Sequence, residues 1–165
     1  MSKKILITGG AGFIGSHIAD KFANAPEKYE IIIVDNLVGG NVNNFDQMKS
    51  KIKFYNVDVR DRNDLEKIFI DNGPIAYVFH HAAQVSVSVS VENPLYDAEE
   101  NIIGIVNVLD MCVKYNVEKI LFSSTAATYG IPKSSVSKET DETTPILGVG
   151  NSMLRSNGIL YRLQT

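Results

Sequence analysis

The chain has a single cysteine, Cys112, no tryptophan and five prolines among its 165 residues. One thiol cannot form an intramolecular disulfide, which excludes a disulfide-stapled scaffold. Its neighbours Val108, Leu109 and Met111 follow helical spacing, so Cys112 is expected to be an inert core thiol. No apolar run approaches the roughly 18 residues that a membrane helix needs. The start, Met1 to Lys4, lacks the pattern of a signal peptide, because the apolar run behind it stops at Thr8-Gly9-Gly10. A soluble, cytoplasmic chain without a membrane partner is therefore expected. Excess positive charge is missing as well: 16 Lys and Arg stand against 19 Asp and Glu, a net charge of −3, with no basic stripe. That removes the electrostatic footprint of nucleic-acid binding. What is present, 44% hydrophobic and 21% charged residues, lies far from the composition of disordered chains and suffices for the core of one ordinary domain.

Short apolar runs bounded by turn residues alternate with stretches of helical spacing. Lys4 to Thr8 ends in glycines, and Phe13, Ile14, His17, Ile18, Lys21 and Phe22 follow at helical intervals. Ile31 to Asp35 is a β-branched block too apolar for a half-exposed strand, so burial on both faces is expected. Ile52 to Val57, Ala76 to His80 and Ile120 to Ser124 complete five strands, with helices over about Asp61 to Asn72 and Asn93 to Tyr115. Val85 to Val91 alternates Val with Ser and reads as a loop or short strand. Strands alternating with helices imply right-handed βαβ units. The expected fold class is α/β, a Rossmann-like doubly wound parallel sheet in three layers, ordered 3-2-1-4-5.

Gly10-Ala11-Gly12-Phe13-Ile14-Gly15 matches the dinucleotide pattern, and Gly9 adds the spacing Gly9, Gly12, Gly15. The string lies directly after a strand and opens a helix, where backbone amides can meet a pyrophosphate without a side chain in the way. Asp35 stands at the end of the second strand, where a carboxylate accepts hydrogen bonds from an adenosine ribose. Glycines serving only a tight turn and an aspartate serving only as a cap would not need strand, turn, helix and acid to fall in these places together. A carboxylate there repels a 2′-phosphate and no Arg follows it, so NAD is favoured over NADP. Asp58, ending the third strand, is placed either to meet the adenine edge or to cap the helix near Asp61. His80 and His81 are adjacent on a strand and point to opposite faces, so a shared metal is not expected.

The string Ile7 to His17, with Asp35-Asn36-Leu37, Asp58-Val59-Arg60-Asp61, His81-Ala82-Ala83-Gln84, Ser90 to Pro94 and Ser123 to Gly130, closely resembles the extended short-chain dehydrogenase/reductase family. Within it the chain is similar to the UDP-glucose 4-epimerases, over their N-terminal portion only. The resemblance implies NAD as cofactor, a nucleotide-sugar substrate and reversible C4 oxidation by hydride transfer. By position it implies that Gly9, Gly12, Phe13, Ile14, Gly15, Asp35, Asn36, Asp58, Val59, Ala82, Ala83, Gln84 and Asn101 line the NAD site. Thr125 takes the place of the catalytic Ser/Thr.

The family also carries a Tyr and a Lys four residues apart, the lysine lowering the tyrosine pKa so that a phenolate can act as base. Here those positions read Val149 and Met153, and neither ionises. Residues 1–145 are accordingly expected to form an NAD-binding domain. Residues 146–165, with a glycine at Gly158 and no clean helical period, are expected to be an aberrant tail and a poor helix, and the substrate domain to be absent. Back-translated and shifted by one base, Met153 to Thr165 spells a peptide similar to the family's own helix. A frameshift, a truncation and a degenerate copy all remain open. The chain is expected to be a catalytically incomplete NAD-binding portion, the alternative being a competent enzyme whose missing half comes from another chain.

Overall fold

Five parallel strands form one sheet in the order β3-β2-β1-β4-β5, where β1 is Lys3–Thr8, β2 Tyr29–Asp35, β3 Ile52–Asn56, β4 Tyr77–His80 and β5 Lys119–Phe122. This is the order expected from the sequence, and its reversal lies between β1 and β4. The register is continuous: Ile5 pairs with Ile31 on one side and with Tyr77 on the other, and Thr8 pairs with Val34 and His80. The computed structural model describes residues 2–132 and 134–163, with side chains described to residue 159.

Strand alternation sorts the apolar side chains into two cores. Leu6, Ile32, Val34 and Val78 pack with Leu65, Ile68 and Phe69 of α2 (Arg62–Asn72), and with Val108, Met111 and Cys112 of α5 (Gly104–Lys114). Ile5, Ile7, Ile31 and Ile33 face the other way, onto Ala19, Ile18 and Phe22 of α1 (Phe13–Ala23), and onto Phe45 and Met48 of a 3-10 stretch, Val42–Met48. The sheet is thus the middle of three layers. The block Ile31 to Val34 is buried on both faces, as its composition requires. Cys112 is a buried core thiol whose pKa burial pushes up to about 12, which leaves it unreactive near neutral pH.

Contacts divide the chain into two compact units, Met1–Ala82 with Asn107–Phe122, and Ala83–Val106 with Ser123–Thr165. The second holds α3 (Val87–Glu92), α4 (Pro94–Ala98), a π turn Glu99–Ile103, a 3-10 turn Ala126–Tyr129 and α6 (Gly148–Leu163). Two expectations fail here. The Val/Ser alternation is a helix, because Ser86 caps it by accepting from the Val89 N–H and the Ser90 hydroxyl donates back to the Val87 carbonyl. Valines 85, 87 and 91 are exposed, so period two never described a buried face. Within the 146–165 segment, Gly148–Leu163 is likewise helical. Val149, Ser152, Met153 and Ser156 are buried at helical spacing, while Gly158 faces open space, where a missing side chain costs packing nothing. Long-range packing overrides the weak propensity.

The expected helix over 93–115 is present, interrupted by the π turn. It begins with Asn93 accepting from the Tyr96 N–H at 3.2 Å and Pro94 in the first turn. After it, Asn116 takes a left-handed φ of 53°, and the Val117 N–H closes on the Cys112 carbonyl at 2.9 Å. Among the described residues no helix is long and apolar enough to cross a membrane.

Candidate active site

In the first unit β1 runs straight into the glycine turn. Gly9 has a φ of +66°, and a Cβ there would lie 2.6 Å from the Ala82 nitrogen and the His81 carbonyl carbon. Only glycine allows both the left-handed backbone and the close approach of the β4 end. A Cβ on Gly15 would stand 2.3 Å from the Gly9 carbonyl oxygen, so the start of α1 lies directly on the turn. Gly12 is the N-cap and has no side-chain acceptor, and the first turn carries no acid. The first-turn N–H groups are thereby left for an outside acceptor, and the helix dipole favours an anion. Phe13 and Ile14, 78% and 58% exposed, present apolar faces beside those amides.

Asp35 ends β2 nearly buried. Its Oδ2 accepts from the Ala11 N–H at 2.9 Å and its Oδ1 from the Leu37 N–H at 2.8 Å. Two fixed donors orient the carboxylate and leave acceptor capacity on both oxygens. Leu37 holds a left-handed φ of 62° to make its bond, a local strain of the kind that collects at functional sites. Asn36 donates from Nδ2 to Asp58 Oδ2 at 2.9 Å. Asp58 also receives the Arg60 N–H and Nε at 2.8 and 3.0 Å on Oδ1, and Nη2 at 2.7 Å on Oδ2. The Arg60 guanidinium, helped by Asn36, holds the Asp58 pKa down to about 2. Asp58 is not the cap of α2: Asp61 is, accepting from the Asn63 and Asp64 N–H groups at 3.1 and 3.0 Å. The Val59 side chain is in the core, and its carbonyl accepts from Asn107 Nδ2 at 3.0 Å, so any ligand contact it makes is through the backbone.

Beneath the turn, Thr8 Oγ1 lies 2.7 Å from His80 Nδ1 and accepts from the Ala82 N–H at 3.3 Å. His80 is fully buried, its ring stacked on Phe122 with centroids 5.7 Å apart. Desolvation, reinforced by neighbouring His81, lowers its pKa to about 3, so it is a neutral core histidine. Among the described residues no group of three or more His, Cys, Asp or Glu is placed to hold a metal.

In the second unit, Gln84 and Asn101 form a buried network. Asn101 Oδ1 accepts the Gln84 N–H at 2.8 Å, while the two hydrogens of its Nδ2 are shared among the Gln84 carbonyl, Asp97 Oδ1 and Ser152 Oγ at 2.9, 3.2 and 3.1 Å. Gln84 Nε2 donates to Asp97 Oδ1 at 2.8 Å. Both side chains are committed to protein partners, so they shape this unit from within. Ala83 precedes Gln84 and is half-buried. Thr125 caps the 3-10 turn, its Oγ1 accepting from the Ala127 N–H at 3.2 Å. That turn meets α6 closely: a Cβ on Gly150 would lie 2.5 Å from the Ala127 carbonyl oxygen. On α6 Val149 and Met153 are each 3% exposed. Sequence reasoning missed Asp97 and also Ser156, whose hydroxyl donates to the Asn101 carbonyl at 2.7 Å; both are polar residues in helices with nothing local to mark their pairing.

A profile of the NAD dependent epimerase/dehydratase family matches residues 5–152. The chain is similar to a Methanocaldococcus jannaschii protein provisionally named a UDP-glucose 4-epimerase, 44% identical over 149 residues, covering 90% of this chain and 47% of that one. Among solved structures it is similar to the UDP-glucose 4-epimerase of Thermotoga maritima with UDP-glucose, at TM-score 0.89 and 41% identity, covering 97% of this chain and 50% of that one. It is also similar to the Thermus thermophilus UDP-glucose 4-epimerase in complex with NAD, at TM-score 0.87 and 37% identity, covering 96% of this chain and 50% of that one. The chain spans about half the length of these relatives. With a parallel sheet of this order, a glycine turn at its switch point and a buried Asp35 at the end of β2, the chain belongs to the NAD dependent epimerase/dehydratase family.

Proposed function

We propose that the chain is the NAD-binding portion of a nucleotide-sugar epimerase, similar to UDP-glucose 4-epimerase, and that as it stands it does not epimerise UDP-sugars. The observation that carries the binding half is the uncapped start of α1 beside a buried Asp35 whose two oxygens are fixed by backbone donors. The first-turn amides of α1 would hold the pyrophosphate, Asp35 the adenosine ribose hydroxyls, and Asn36, Asp58 and the Val59 N–H the adenine side. Ala82, Ala83 and Gln84 follow β4, with Gln84 and Asn101 acting through the network they share. NAD, when bound, would supply the hydride acceptor and donor for reversible oxidation at a sugar C4 hydroxyl.

Removing the hydroxyl proton requires a base. Thr125 Oγ1 already accepts a backbone N–H and has no basicity near neutral pH, so it can orient a sugar hydroxyl but not deprotonate it. Val149 and Met153 stand where the family carries Tyr and Lys, and neither ionises. Losing a positioned base typically forfeits about 10²- to 10⁴-fold in rate.

The test has two arms. Titration calorimetry of the purified chain with NAD is expected to show one site, and its absence would sink the binding half. Incubation with UDP-galactose and NAD is expected to yield no UDP-glucose above a no-protein control. Turnover that disappears in Thr125→Ala would show the catalytic residues to be misplaced.

A further inference from the structure

The loop after β2 returns onto the glycine turn. The Ala11 carbonyl accepts two donors from it, the Asn41 N–H at 2.9 Å and Asn44 Nδ2 at 2.7 Å. The Ala11 N–H is itself held by Asp35. Both backbone polar groups of Ala11, at the centre of the turn, are thus engaged by residues 35–44. Gly40 lies flat on the same spot: a Cβ there would come within 2.7 Å of Asp35 Oδ1 and 2.8 Å of the Ala11 Cβ. The segment cannot lift easily. Asn41 caps the 3-10 stretch by accepting from the Asn43 N–H at 2.9 Å, and Phe45 and Met48 are buried beneath it. The Phe45 ring packs 5.2 Å from that of Phe54.

We propose that Asn44 is a positioning residue for the cofactor, its amide clamping the Ala11 carbonyl so that the glycine turn keeps its anion-binding shape before any ligand arrives. The inference rests on the NAD-binding reading given above. A turn rich in glycine has more backbone freedom to lose than any other, so a preformed turn binds more tightly than one that must be ordered on binding. Asn44 is exposed as a residue, which is unusual for a structural amide and leaves little packing to lose on its replacement. Its donor is the part that matters.

The experiment measures NAD affinity by calorimetry for the unaltered chain and for Asn44→Ala, Asn44→Leu and Asn44→His, well below each protein's unfolding temperature. Leu keeps the bulk and removes the donor, whereas the Nδ1–H of a histidine ring can stand where the amide nitrogen stood. One neutral hydrogen bond corresponds to about five-fold in affinity. Ala and Leu are expected to weaken NAD by about that factor, and His to recover most of it. In the NAD-free proteins, amide hydrogen exchange over residues 9–15 is expected to quicken in Ala and Leu and not in His. Equal NAD affinity and equal exchange in all four proteins would overturn the assignment. So would Leu behaving like the unaltered chain while Ala does not, since that would assign the effect to bulk. If the unaltered chain binds no NAD, the functional reading itself falls and this inference with it. Binding by the unaltered chain with no effect of the variants sinks the clamp alone.

Discussion

Acidification should destabilise this fold well above the range in which carboxylates titrate, and His80 is the reason. The ring is fully buried between Thr8 and Phe122, and desolvation takes its pKa from 6.5 to about 3. Between those values the unfolded chain binds a proton that the folded chain refuses. Stability is therefore full above pH 6.5 and falls as pH drops toward 3. Each pH unit in that window is worth about 1.4 kcal/mol, so pH 5 costs roughly 2 kcal/mol and the whole window roughly 5 kcal/mol. The total stability of a domain is about 5–15 kcal/mol, so a loss of this size is large. Half-buried His81, also lowered by desolvation, adds a loss of the same sign. Asp58, lowered from 3.8 to about 2, adds its own loss as pH falls through that interval. The assay is urea denaturation at pH 7, 6 and 5 for the unaltered chain and for His80→Phe. That replacement keeps a ring against Phe122 and leaves Thr8 Oγ1 its Ala82 donor. The unaltered chain should lose stability steeply below pH 6.5 and the variant should lose much less. Equal slopes in the two proteins would refute a neutral, buried His80.

Three further outcomes follow from particular contacts. Gly9→Ala must place a Cβ 2.6 Å from the Ala82 nitrogen at a φ of +66°; strain and overlap together predict about 2–5 kcal/mol of lost stability by thermal or chemical unfolding. Asp61→Ala removes the cap of α2 and its two N–H bonds, and should cost about 1 kcal/mol, whereas Asp58→Ala should leave the α2 cap intact in the same melting experiment. Asp35→Ser should weaken NAD and narrow its preference over NADP in competition titrations; tighter NADP binding by the unaltered chain would contradict the role given to that carboxylate.

The five strands, their order and the glycine turn were legible in the sequence because each is written locally. A buried parallel strand is a continuous apolar block such as Ile31 to Val34. A left-handed turn calls for glycine, and a βαβ crossover has one hand. The tertiary structure decided what depends on partners distant in sequence. Gln84 and Asn101 are placed by resemblance, but their pairing with Asp97 and Ser152 exists only once the fold brings them together, and Asn44 is one of several asparagines in a loop until its amide meets Ala11, thirty-three positions away. The two helices that the sequence concealed, Val87–Glu92 and Gly148–Leu163, have the same cause. Their intrinsic propensity is weak, and α6 in particular gains its stability from burying Val149, Ser152, Met153 and Ser156, a term that exists only once the other elements are in place.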